Sequence, residues 1–449
     1  MIRHLLPKPL VTMLLALTIG TVALAESPTS RSTKSLARRA LAANGNESAN
    51  AISKLRSMGP AGLRAFLETN HQKIEAALKT PGDSRNDLPA VADSQVLAAL
   101  DSICQQKDCY ASRLYWHTDL ELAKSAARAQ SKPILSLRLL GRLDEDLSCA
   151  NSRLFRITLY ANEQVSRLLR ERFVLHWQSV RPVPRLTIDF GDGRTMQRTL
   201  TGNSIHYVLD SEGRLIDALP GLYGPGAFLR ELARLHSTAA TLNAFQTEDE
   251  RTDALRRYHQ TRLNELENSW LNDVKRAGLR VAPSREIPKP AGAGSSPPSA
   301  SLAAAAAISK SVIIERPVLR GMLDDPKQLD TIGSDTGWSM IARLHSQDAA
   351  LDQATLTLMS FKDPSLVSGV LQLATLALGR AVAEDTVRNE YVFRARIHQW
   401  LASGSAGPDV ESLNEKIYAE LFLTPSWDEW LGLRPAGTYS GIDGDGIRK

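Results

Sequence analysis

The chain has 449 residues, 43% of them hydrophobic and 23% charged. That composition excludes a wholly disordered chain, and at about 150 residues per domain the length predicts two or three domains. The formal charge of +5 is the difference between 54 basic and 49 acidic residues; no one-sided basic cluster accompanies it, which argues against nucleic-acid binding.

The first 25 residues read as a signal peptide. Arg3 and Lys8 make a positive start, Leu10 to Ala23 is apolar apart from Thr12, Thr18, Gly20 and Thr21, and Ala23-Leu24-Ala25 offers small residues for cleavage. The apolar run falls short of the roughly 20 residues of a spanning helix. The mature chain is therefore expected to begin at Glu26, periplasmic or secreted, with no integral membrane segment. Without Arg3 and Lys8 it keeps 52 basic against 49 acidic residues, a charge of +3.

Three cysteines are too few for a disulfide scaffold. In an oxidising compartment Cys104 and Cys109 are candidates for a disulfide across Gln105 to Asp108. A turn is required there, because a straight helix holds residues five apart too far from each other. Cys149 is then the odd thiol.

Residues 26–110 read as a helical region, with Ile52, Leu55, Leu63, Phe66, Leu67, Ile74 and Leu78 at three- and four-residue spacings. Gly59-Pro60 and Pro81-Gly82-Asp83 punctuate it. Thr118, with Glu121 three residues on, predicts a capping box for the next helix. Within residues 111–237 the apolar run Ile134 to Leu140 predicts a strand, and the polar loop Gly141 to Ser148 leads to Cys149. Helical spacing resumes through Leu154, Leu159, Val165, Leu168 and Leu169, and Phe173 to Trp177 predicts a second strand. A basic, proline-bearing excursion runs from Arg181 to Gly202. Ile205 to Leu209 and Arg214 to Leu219 read as two strands joined by the turn Asp210 to Gly213. Pro225-Gly226 opens a helix. Beyond it, residues 238–282 read as a helical connection, 283–310 as a Pro/Ser/Ala-rich linker, 311–433 as a helical C-terminal domain and 434–449 as a loose tail.

The order strand, helix, strand, then hairpin, then helix implies two parallel strands with antiparallel strands added. With Ala127 to Pro133 approaching the first strand, Cys149 after it, Val165 to Val174 leading into the second and Val208 to Arg214 at the hairpin, the central region resembles the thioredoxin-like superfamily, over about a quarter of the chain. The expected architecture is an α/β thioredoxin-like central domain flanked by mainly α-helical N- and C-terminal regions. The resemblance implies a reactive Cys149 at a helix start, where backbone N–H groups favour the thiolate, with Ser152 as its hydrogen-bond partner and Arg153 and Arg156 one turn on. Two features depart from the family. The dithiol motif is Cys149-Ala150-Asn151-Ser152, without a second cysteine, and Gly202 to His206 holds no proline before the third strand.

Other chemistry-bearing patterns are thinner. Thr187 to Gly193 reads as a plain hairpin turn rather than a calcium loop. Glu390, Arg394 and His398 share one helix face, read as a solvated or internally paired face, and no HExxH spacing is present. No metal or cofactor is expected. Phe393, Ile397, Trp400, Leu421, Phe422, Trp427 and Trp430 read as core anchors. Two functions fit: a monothiol disulfide-exchange protein using Cys149 (if an enzyme, a thiol-disulfide oxidoreductase), or a non-catalytic interaction module of the cell envelope. Both predict protein partners.

Overall fold

The computed structural model describes residues 28–78, 91–288, 297–320, 335–366, 368–407 and 409–434, with Gly441, Ile442 and Ile447. The signal-peptide residues, Pro81-Gly82-Asp83, the middle of the Pro/Ser-rich stretch and most of the tail lie outside the described residues.

The N-terminal region is five helices, α1 (Pro28–Arg39), α2 (Gly45–Ser57), α3 (Pro60–Thr69), α4 (His71–Leu78) and α5 (Val91–Cys104), followed by the single turn α6 (Cys109–Ser112). Asn44 caps α2 by accepting the N–H groups of Asn46 and Glu47. Leu55, Phe66, Leu100 and Ile103 build a small core of their own, separate from that of the sheet. Arg56 ties the two together by donating to the Ile103 and Trp116 carbonyls at 2.9 and 2.8 Å.

The central sheet has the order β1-β3-β2-β6-β7, from β1 (Trp116–His117), β2 (Ile134–Leu140), β3 (Val174–Arg181), β6 (Ile205–Leu209) and β7 (Leu215–Pro220). β1, β3 and β2 run parallel, and β6 and β7 are antiparallel. β2 is buried at every position, Ser136 and Arg138 among its apolar residues, as a strand in a sheet covered on both faces is. The excursion after β3 folds as a separate hairpin of β4 (Arg185–Asp189) and β5 (Thr195–Thr199), with Gly191 and Gly193 taking the left-handed turn positions. Four helices belong to this part: α7 (Leu120–Gln130), α8 (Ala150–Leu154), which runs on into a π-helical turn to Tyr160, α9 (Glu163–Arg172) and α10 (Pro225–Leu242). The cap of α7 is Asp119 rather than Thr118. Its carboxylate accepts the Leu122 N–H while its own backbone is still extended.

The long α11 (Glu248–Arg276) starts at the capping box Thr247/Glu250. Beyond it come α12 (Ala300–Ala304), α13 (Arg316–Leu319), α14 (Thr336–Leu344), α15 (Gln353–Lys362), α16 (Ser368–Arg388), α17 (Ala395–Ser403) and α18 (Val410–Glu420). Two expectations change here. Residues 300–310 are not linker: Ala300, Ala304 and Ile308 are buried in a small core with Leu200 and Leu319, because a run of small apolar residues can pack against a hairpin. The C-terminal helices also share one continuous core with the sheet, from Leu114 to Leu431.

Candidate functional site

Cys149 lies at the start of α8, where the loop from β2 turns into helix; its N–H donates to the Leu140 carbonyl at 3.2 Å and its own carbonyl accepts the Arg153 N–H at 3.1 Å. The side chain is fully buried. Its sulfur is 3.1 Å from Ser204 Oγ, on the residue just before β6, and 3.5 Å from Ser152 Oγ. Ser152 was expected to donate to a thiolate. Its hydroxyl instead has the Cys149 carbonyl and Ser148 Oγ as acceptors, each at 2.8 Å, and one hydroxyl carries one hydrogen. Toward the sulfur, Ser152 is placed as an acceptor.

What lies over this corner comes from the distant C-terminal half. Lys310 Nζ donates to the Gly202 carbonyl at 3.3 Å, and the Tyr418 hydroxyl donates to the Asn203 carbonyl at 2.8 Å. Gly202 has a φ of +101° and passes so close that a Cβ there would stand 3.4 Å from Cys149 Cβ. The two arginines are engaged elsewhere: Arg153 donates to Thr199 Oγ1 at 2.9 Å, and Arg156 lies 3.7 Å from Asp108. The result is a thiol among hydroxyls and backbone, without an open face for a disulfide partner to approach.

Cys104 and Cys109 are joined as a disulfide with Cα atoms 6.3 Å apart. The required turn is present, with Gln105 and Asp108 both in the left-handed region. Both sulfurs belong to the N-terminal core whereas Cys149 belongs to the core of the sheet, so the pair is placed as a structural clip rather than as a resolving partner.

A second cluster forms where β7, α11 and α17 meet. Arg394, fully buried, donates to Asp217 at 2.9 Å, to Glu231 at 2.6 Å and to Glu390 at 2.9 Å. Burial alone would raise Asp217, but Arg394, followed by His398 and His259, holds it well below the usual carboxylate range. His259 and His398 face each other with their Nδ1 atoms 2.9 Å apart. Burial pushes them down to about 4 and about 3. The face Glu390, Arg394, His398 is thus internally paired, with Arg394 and His398 buried and Glu390 half-buried. Its partners Asp217, Glu231 and His259 carry no sequence signal, because they stand on other elements more than a hundred residues away. Among the described residues, Asp217, His259 and His398 are one group whose ligand atoms are close enough to hold a metal ion. Beside this cluster opens a cleft of about 860 Å³ lined by Glu231, Tyr258, Arg262, His345, Asp348 and Glu390, among others.

Of the expected core anchors, Phe393, Ile397, Trp400, Leu421 and Phe422 are buried, but Trp427 is 62% and Trp430 38% exposed. Both lie in the turn after α18. There the buried Asp428 takes the inward position and accepts the N–H groups of Trp430 and Gly432, which leaves the flanking rings toward solvent. Among the described residues no helix is long and apolar enough to cross a membrane. Compared with protein-family models, curated proteins and solved structures, the chain matches none of them.

Proposed function

We propose that this chain is an exported, thioredoxin-like protein that works as a non-catalytic interaction module of the cell envelope. The observation that carries the reading is the burial of Cys149 beneath a segment held by Lys310 and Tyr418. Thiol exchange needs a thiolate that an incoming disulfide can reach in line, and a sulfur enclosed by Ser204, Ser152 and Gly202 is not reachable.

The thioredoxin-like part of the reading rests on the strand order, with two long parallel strands and an antiparallel hairpin, and on a cysteine that opens the helix after the first long strand. Export rests on residues 1–25. An interaction role is supported by Val370, Leu373 and Leu376 on α16, which are left exposed along one helical face, and by the exposed Trp427.

The monothiol reading is retained as the alternative because Cys149 stands at a helix start. It requires the C-terminal region to lift first. Cys149 would then attack a partner disulfide, forming one mixed disulfide and releasing the partner's other sulfur as a thiolate. Alkylation of the folded, mature chain against pH, read by peptide mass spectrometry, tests both. No labelling of Cys149 before unfolding is the expected result. Fast labelling of the native chain would transfer the case to thiol exchange.

A further inference from the structure

We propose that Asp217, His259 and His398 form a binding site for one divalent first-row transition ion of the zinc class, which clamps α11 and α17 to the edge strand β7. All three side chains are at most 1% exposed. One carboxylate oxygen and two imidazole nitrogens lie within 4.8 Å of one another, His398 Nδ1 being 2.9 Å from His259 Nδ1 and 4.0 Å from Asp217 Oδ1. Ligands about 2.0–2.1 Å from a tetrahedral ion stand roughly 3.3 Å from each other. The observed separations bracket that value, so small side-chain adjustments close the site.

Two further features bear on an ion here, the ring tautomers and the orientation of the carboxylate. Without an ion, the facing nitrogens must share one proton, and the accepting ring must then carry its own hydrogen on Nε2. An ion held by both Nδ1 atoms would place a hydrogen on each Nε2, and among the described residues neither Nε2 has a hydrogen-bond partner, so the two rings are held by packing against Tyr258 rather than by an outer hydrogen bond. The carboxylate is also oriented from behind. Its Oδ2 accepts the Tyr258 hydroxyl at 2.8 Å and Arg394 at 2.9 Å, and Oδ1 accepts the Ala218 N–H at 2.7 Å, as outer partners orient ligands in metal sites.

The local charge is compatible with a cation. Asp217, Glu231 and Glu390 set three negative charges against Arg394 and Arg262, and at the rim Arg234 and Glu265 cancel, which leaves one net negative charge. Two imidazoles and one carboxylate suit zinc, iron or manganese rather than the hard cations magnesium and calcium. The three ligands come from residues far apart in sequence, so the ion would join elements that the chain brings together only on folding.

The test uses the tag-free, full-length mature chain, stripped with chelator and titrated with Zn²⁺ by calorimetry and thermal unfolding. One ion per chain and a zinc-dependent rise in Tm are expected. His259→Gln and His398→Gln should each weaken binding by about 100-fold or more, and Tyr258→Phe, which removes an outer partner, by about 10-fold. His345→Gln should leave the stoichiometry unchanged. X-ray absorption of the wild-type zinc complex keeps the proposal falsifiable if the histidine variants fail to fold. Two imidazole ligands support the site, and an oxygen-only shell overturns it. A folded wild-type chain that takes up no zinc overturns it as well.

Discussion

Arg138 in the middle of β2 and Glu411 near the start of α18 meet at 2.6 Å, although 273 positions separate them. The guanidinium is 1% exposed and also donates to Ser136 Oγ at 2.7 Å, which in turn contacts His176 at 2.8 Å. A charge in the centre of a sheet is tolerated only when paired. Here the pair comes from the helix that covers that face, so docking of the C-terminal region and neutralisation of the sheet's buried charge are one event. Because the Glu411 side chain is 61% exposed and water screens the pair, Glu411→Gln should lower stability by about 1 kcal/mol or less. Arg138→Met should cost less than Glu411→Gln. Denaturant unfolding of the two variants checks the order.

Cys149 contributes volume and two weak polar contacts, with Ser204 and Ser152, rather than a reactive group. Cys149→Ala should keep the fold and lose about 1 kcal/mol or less in urea unfolding, because the atom removed is small and its neighbours are hydroxyls. A mixed disulfide trapped on Cys149 in the native wild-type chain would contradict this.

The Cys104–Cys109 bond closes a loop with four residues between its ends. Chain entropy assigns so short a loop roughly 2 kcal/mol of stability. The double variant Cys104→Ala/Cys109→Ala should lose about that amount while the native wild-type bond resists mild reductant, since both sulfurs are buried. Equal stability of variant and wild type in unfolding experiments would remove the clip from the account of the N-terminal core.

His345 gives the pH dependence. Hydrogen bonds to Asp273, with Nε2 2.5 Å from Oδ2, and to Asp348 raise it from 6.5 to about 9 against the pull of desolvation. A histidine raised on folding stabilises fully below its unfolded value, and that contribution is lost as pH rises through the folded value. The His345 contribution should hold up to about pH 6.5 and decline toward pH 9. In Asp273→Asn the histidine should titrate at lower pH. Proton NMR of the His345 ring in the two proteins reads the shift directly.

The linear pattern carried the elements well wherever burial was continuous or strictly periodic. Ile134 to Leu140 reads as a central strand because no polar face interrupts it apart from Ser136 and Arg138, and the hairpin at Asp210 to Gly213 announces itself by its turn residues. The position of Cys149 at the start of a helix was legible for the same local reason. Its burial was not, because the residues over it, Lys310 and Tyr418, stand 161 and 269 positions downstream. Trp427 and Trp430 misled in the opposite sense, since an aromatic residue in a turn keeps its apolar composition whichever way the turn presents it.

By itself, the sequence determined the long strands β2, β3, β6 and β7 and most of the helices, though not the short β1, the β4–β5 strands or the helix at Ala300–Ala304, and it showed that residues 104 and 109 pair only across a bend. Those are consequences of side-chain spacing and backbone preference within a few residues. Only the tertiary structure decided that the thiol is enclosed, that Arg138 is neutralised by Glu411, and that His259, His398 and Asp217 converge. Periodicity reports which side of an element is apolar. It does not report what comes to cover that side, because covering is set by packing among elements hundreds of residues apart.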